Sequence, residues 1–211
     1  MKNTIYIVAK ENTVTPPEFF ASLLGTHFID KYPHIHAAHV KVMTHRWTRM
    51  TIDGTPHPHS FYRDSSETRN VEAVIRRGNG ISIRSGISGL LLLKSTGSQF
   101  HSFVRDEYTT LPEVWDRVLS TEVDCGWKWS TFAGLTAVRE ALPKFDKAWQ
   151  DSRNITMKTF AEHSSPSVQN TMYRMSELIL AAAPDVDSVD YSLPNKHYFE
   201  IGKLLWSSNR I

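Results

Sequence analysis

Six residues have the chemistry to hold a flat, polar anion: Phe100, Arg117, Val168, Gln169, Asn195 and His197. An aromatic ring offers a stacking surface, and a guanidinium pairs bidentately with two acceptors on a ring edge. A glutamine amide supplies one donor and one acceptor, and a backbone N–H at a helix start attracts negative charge. Asn195 and His197 belong to the polar turn Pro194-Asn195-Lys196-His197, where an amide and an imidazole lie two residues apart. Taken singly, each is ordinary: a core phenylalanine, a solvated arginine, turn asparagine chemistry.

Other chemistries find less support. The 10 histidines include His34-x-His36 and His57-x-His59, pairs on one face of a strand, yet no cysteine or carboxylate joins them at ligand spacing. Exposed or hydrogen-bonded strand histidines are the better reading. Gly78-x-Gly80 is followed by a strand, so it reads as a hairpin turn and not a dinucleotide fingerprint. Gly-x-Ser-x-Gly, His-Glu-x-x-His and Cys-x-x-Cys motifs do not occur.

The elements that must position these residues follow from periodicity and turn chemistry. Ile5–Ala9 is a short apolar group compatible with helix or strand. Thr15-Pro16-Pro17-Glu18 has the form of a capping box opening a helix that runs to about Tyr32 and ends at Pro33. His34–Met50 reads as a long strand, Thr51–Pro56 as a turn, and His57–Arg63 as the returning strand. Asn70–Arg76 and Ile81–Lys94 are two further strands joined by Asn79-Gly80 in a type I′ turn, which makes the middle of the chain an antiparallel meander. The stretch Leu90–Arg117 passes from a buried apolar run through a Ser- and Thr-rich segment. Thr110-Leu111-Pro112-Glu113 then predicts a second capped helix with Arg117 on the flank of its apolar stripe. Trp127–Phe132 and Ile155–Ala161 read as strands, Ser164-Ser165-Pro166 opens a helix with Val168 and Gln169 in its first turn, and Val189–Leu193 and His197–Ile201 close the chain as strands. The helix and strand order loosely repeats, which suggests a duplicated unit.

The 211 residues are 40% apolar and 22% charged, with 24 basic against 22 acidic residues and no basic run, so composition favours neither nucleic acid nor a membrane surface. Cys125 stands alone, the first residues lack a signal-peptide core, and Leu90–Leu93 is too short to span a bilayer. These features predict an intracellular soluble protein.

Five blocks of the chain resemble the urate oxidase (uricase) family: HIHAAHVKVMTHRWTRM, DGTPHPHSFYRD, the stretch Leu90–Arg117, KTFAEHSSPSVQNTMY and YSLPNKHYFEI. The resemblance implies an α+β tunnelling fold (T-fold), antiparallel sheets with helices on one face, assembled as a homotetramer with the active site between subunits. It places a first helical segment at residues 2–10. It implies Phe100 as the ring that stacks on urate, Arg117 and Gln169 as the clamp, and Val168 as a backbone amide contact. Asn195 would face the O2 and water position above the ring, and His197 would belong to the proton relay. The implied reaction is oxidation of urate by O2 and water to 5-hydroxyisourate and H2O2, with no metal or other cofactor.

The resemblance divides the chain into a first unit, residues 1–125, a second, 126–201, and a divergent tail, 202–211. The family's first hairpin, its catalytic lysine and a Thr-Asp pair donated across the subunit interface have no counterpart here. The expectation is a chain truncated at its N-terminus that keeps the urate clamp with an incomplete relay; the alternative is a fragment that only binds urate or joins tetramers. The family implies a peroxisomal location, while the absence of a C-terminal peroxisomal tripeptide leaves the cytoplasm as the alternative.

Overall fold

The computed structural model describes residues 1–198. Two helices come first, α1 (Lys2–Glu11) and α2 (Pro17–Lys31), so the ambiguous apolar group at Ile5–Ala9 is helical. Seven strands follow, β1 (Ala37–His45), β2 (Thr48–Ile52), β3 (Thr55–Tyr62), β4 (Thr68–Arg76), β5 (Gly80–Lys94), β6 (Leu119–Trp129) and β7 (Val186–Ser192). Between β6 and β7 lie α3 (Leu135–Glu140), α4 (Leu142–Glu162) and α5 (Val168–Ala182). Five strands form one antiparallel sheet in the order β1-β4-β5-β6-β7, and β2 and β3 form a separate ribbon.

One face of the sheet carries the core. Val71, Ala73, Ile75, Ile81, Ile83, Ile87, Val123, Trp127 and Trp129 are buried there with Phe19 of α2, Val138 of α3 and Phe145 of α4. The alternation of apolar and polar residues along β4 and β6 creates this face, since successive side chains leave a strand in opposite directions. The other face carries charge pairs: Lys41 with Glu72, and Arg84 with Asp190. A cavity of about 390 Å³ on that face contains these four residues, and their charges are spent on one another.

Several expectations need correction. Thr15 does not cap α2. Pro16 is the N-cap residue, and Glu18, which should reach back to complete the box, is instead fully buried against Arg69 and Ser85. The long strand expected over 34–50 breaks at Arg46, whose side chain pairs with Asp64 and Glu67 at the base of the β2–β3 ribbon. That ribbon is an insertion, so β1 pairs with β4 and not with its neighbour in sequence. In the β4–β5 hairpin the left-handed residues are Gly78 and Gly80, φ +79° and +76°; Asn79 stays in the ordinary region, which excludes type I′.

Two errors are larger. Residues 110–118 form no helix, and 155–161 form no strand. Ile155–Ala161 lies inside α4, whose buried residues Phe145, Ala148, Ser152, Thr156, Thr159 and Phe160 recur at intervals of three or four over most of its length. A seven-residue alternation is too short a window to reveal that period. The strand expected at 127–132 ends at Trp129, with Phe132 only bridging Ile81. Part of the closing strand expected at 197–201, and the tail 202–211, lie outside the described residues. Strand β6 spans Leu119–Trp129, α2 covers β1 and β4, α4 lies on β5 and α5 on β7.

Candidate active site

The site is built at the end of the sheet where β5 finishes and β6 begins. After Lys94 the chain turns out and returns as two short paired segments. Phe100 and Val114 exchange backbone hydrogen bonds of 2.7 and 2.8 Å, and the Arg117 N–H donates to the Ser98 carbonyl at 2.8 Å. This pairing replaces the expected helix. The acidic residues that would have served helix 110–119 hold loop backbone instead: Glu113 accepts from the Ser102 N–H at 2.8 Å, and Asp116 from the Thr96 hydroxyl at 2.6 Å and the Gly97 N–H at 2.8 Å. The Thr96 hydroxyl and that N–H hold the Asp116 carboxyl below the usual carboxylate range. Leu111 and Trp115 are exposed, so there was no apolar face for a helix to bury.

The loop sets Arg117 beside Phe100, with the guanidinium carbon 5.2 Å from the ring centroid. Phe103 stacks on Phe100 with centroids 4.8 Å apart and planes at 20°, so one ring face is covered. Arg117 has no hydrogen bond or ion pair through its side chain among the described residues, and its Nε is buried without an acceptor. A cation in that condition is poised for an anionic ligand.

The same loop is tied to the start of α5. Ser98 and Ser165 form a parallel bridge, with the Gln99 N–H donating to the Ser165 carbonyl at 2.8 Å and the Ser165 N–H to Gly97 at 3.0 Å. Ser167 caps the helix by accepting from the Asn170 N–H at 3.2 Å. Val168 and Gln169 occupy the first turn, as the sequence implies, and their N–H groups have no intrahelical acceptor. Lys94 donates to the His163 carbonyl at 2.9 Å and lies over the Phe160 ring; burial pulls its ammonium down, against the opposing pull of Asp116. Burial also lowers His163, helped by Arg174 and Lys94.

Asn195 and His197 reach this end of the sheet along β6. Asn195 bridges Thr121, the Lys196 N–H donates to the Ser120 carbonyl at 2.8 Å, and Asn195 Nδ2 lies 3.4 Å from His197 Nδ1. The structure thus couples Phe100 with Arg117, both with the α5 start, and Asn195 with His197. The path from the first group to the last runs through Leu119–Thr121 of β6. Lys94, Ser98, Asp116 and Thr121 surround these groups and were given no role by residue type. Among the described residues no cluster of three or more His, Cys, Asp or Glu is arranged to hold a metal.

An antiparallel sheet with helices on one face, matched by solved structures of the same architecture, makes this a protein of the tunnelling-fold class. The family model for uricase matches residues 1–74 and 83–209. The uricases of Emericella nidulans and Aspergillus flavus are 65% and 64% identical to the chain over 201 residues, which is 95% of this chain and 67% of each relative. The solved uricase of Arthrobacter globiformis superposes with a TM-score of 0.83 at 36% identity, covering 98% of this chain and 67% of that one. The chain belongs to the uricase family.

Proposed function

We propose that this chain binds urate and oxidises it with O2 and water to 5-hydroxyisourate and H2O2, without a metal or organic cofactor. The observation that carries the reading is the Arg117 guanidinium, unpaired among the described residues, with a buried Nε and 5.2 Å from the Phe100 centroid, on a residue whose backbone N–H is tied through Ser98 to the segment before α5. Urate is flat and anionic. Arg117 and the Gln169 amide grip its edge, the Val168 N–H adds a donor at the positive end of a helix dipole, and Phe100 supplies a stacking face. Holding the anion this way favours its electron-rich form, which gives two electrons to O2. Protons complete H2O2, and water adds the hydroxyl at C5. Asn195 positions O2 and then water, and His197, next to it, moves the protons.

By the same reading the chain self-associates as a homotetramer and acts in the peroxisome, and it comprises two tunnelling-fold units, residues 1–125 and 126–201. The test is anaerobic titration of the purified chain with urate, followed by admission of O2. Saturable binding, then loss of urate absorbance with one H2O2 per urate, is expected. A chain that neither binds nor consumes urate refutes the proposal.

A further inference from the structure

The chain from Phe100 to Phe103 makes a turn that an extended segment does not. Phe100 is paired with Val114, and in a regular strand a residue three positions on would lie about 10 Å away and point to the opposite face. Here the two rings stack, with centroids 4.8 Å apart and planes at 20°. Ser102 makes the difference. Its φ is +58°, a left-handed conformation that only a few per cent of non-glycine residues adopt. Two contacts hold it there: the Glu113 carboxylate accepts from the Ser102 N–H at 2.8 Å, and the Ser102 hydroxyl meets His101 Nδ1 at 2.8 Å, the imidazole being stacked on Trp115.

Phe103 is braced as well. The Arg105 guanidinium carbon lies 5.4 Å from its centroid, and Arg105 Nη1 donates to the Leu111 carbonyl at 2.8 Å. Phe103 is half-buried although Ser102 and Val104 on either side of it are exposed, Val104 at 96%. Among the described residues neither ring belongs to the core clusters of the sheet. A left-handed serine, a carboxylate and a guanidinium therefore act together to set one ring against another at the end of the sheet, beside Arg117.

We propose that Phe103 is a positioning residue of the site, a backing ring that fixes the plane of Phe100 so that its other face is presented to urate. This rests on the proposed function, in which Phe100 is the stacking surface. A single ring on a loop would have to be ordered by the ligand, at a cost in affinity; with Phe103 behind it the ring is ordered before the ligand arrives. Phe103→Leu keeps the apolar bulk and removes the flat face, and Phe103→Tyr restores that face.

The test uses the full chain. In anaerobic titration Phe103→Leu is expected to weaken urate binding about fivefold, the effect of one aromatic pair, and Phe103→Tyr to recover most of it; in turnover the loss appears in KM, with kcat unchanged. Ser102→Val leaves both rings in the sequence but disfavours the left-handed turn, so it should reproduce the leucine effect, and Ser102→Gly, which adopts that turn freely, should not. A leucine or valine variant that binds urate like the parent, a tyrosine variant as impaired as leucine, or a loss confined to kcat overturns the inference. A crystal structure of unliganded Phe103→Leu tests it without urate, and so separates its failure from failure of the urate reading. Phe100 in a different rotamer, or divided between two, supports the inference, and Phe100 unmoved in a single rotamer overturns it.

Discussion

Arg117→Met should separate ligand holding from folding, because the structure gives the guanidinium almost nothing to do in the protein itself. The backbone bond from the Arg117 N–H to Ser98 survives any substitution, and methionine keeps most of the aliphatic stem. What the fold loses is the contact with the Phe100 ring at 5.2 Å, worth about 0.5–1 kcal/mol. What it regains is the cost of a buried Nε without an acceptor, about 1–3 kcal/mol. The net change in stability is therefore small or favourable, and the melting temperature should move by no more than about 4 °C. Binding responds differently. A bidentate guanidinium pair contains two charge-assisted hydrogen bonds of about 1.5–3 kcal/mol each. Losing both lowers urate affinity by roughly 10²- to 10⁴-fold. Anaerobic calorimetric titration with urate measures the second quantity and thermal unfolding the first. A variant that binds urate within about threefold of the parent, or that unfolds more than about 2 kcal/mol more easily, would show that the guanidinium is structural.

Three further predictions concern the scaffold. Glu67, buried, accepts from Arg153 at 2.6 and 2.9 Å and from Arg46 at 3.4 Å, tying α4 to the base of the β2–β3 ribbon; Glu67→Ala should cost about 3 kcal/mol in urea unfolding, and a cost below about 1 would contradict a shared anchor. Burial pushes the Glu18 carboxyl up despite Arg69 and the Ser85 hydroxyl, so the native state binds that proton more readily than the unfolded chain. Stability measured relative to Glu18→Gln should thus be greatest below the ordinary glutamate value of about 4.3 and fall as pH rises through the raised one; a difference that grows with pH would be the wrong sign. Ser167→Ala removes the side-chain cap of α5 and should lower stability by about 1 kcal/mol while loosening urate binding through Val168 and Gln169, an effect a cap remote from the site would not have.

The parts of the fold that were legible in the sequence are those whose signal is local and long enough. The β2–β3 turn at Asp53-Gly54, both with positive φ, follows from residue type, and so does the α5 start, where Ser, Pro and Ser precede an apolar period. Helix α4 was hidden because its buried positions include Ser152, Thr156 and Thr159, which read as polar. The pairing of β1 with β4 across an inserted ribbon is equally hidden: it joins residues as far apart in sequence as Ala37 and Arg76, and the contacts of Arg46 with Asp64 and Glu67 at the base of the ribbon are likewise non-local.

The site shows the same limit more sharply. Leu111, Val114, Trp115 and Val118 have helical spacing, and nothing in their types announces that Val114 will bridge Phe100 or that Trp115 will stack on His101 with ring centroids 3.9 Å apart. Arg117 is therefore placed by loop hydrogen bonds and not by a helix flank, although it arrives beside the aromatic that residue type had suggested. Residue types mark which groups can bind a ligand, but the backbone pairing of Phe100 with Val114 and of Arg117 with Ser98 that brings them together is a property of the folded chain alone.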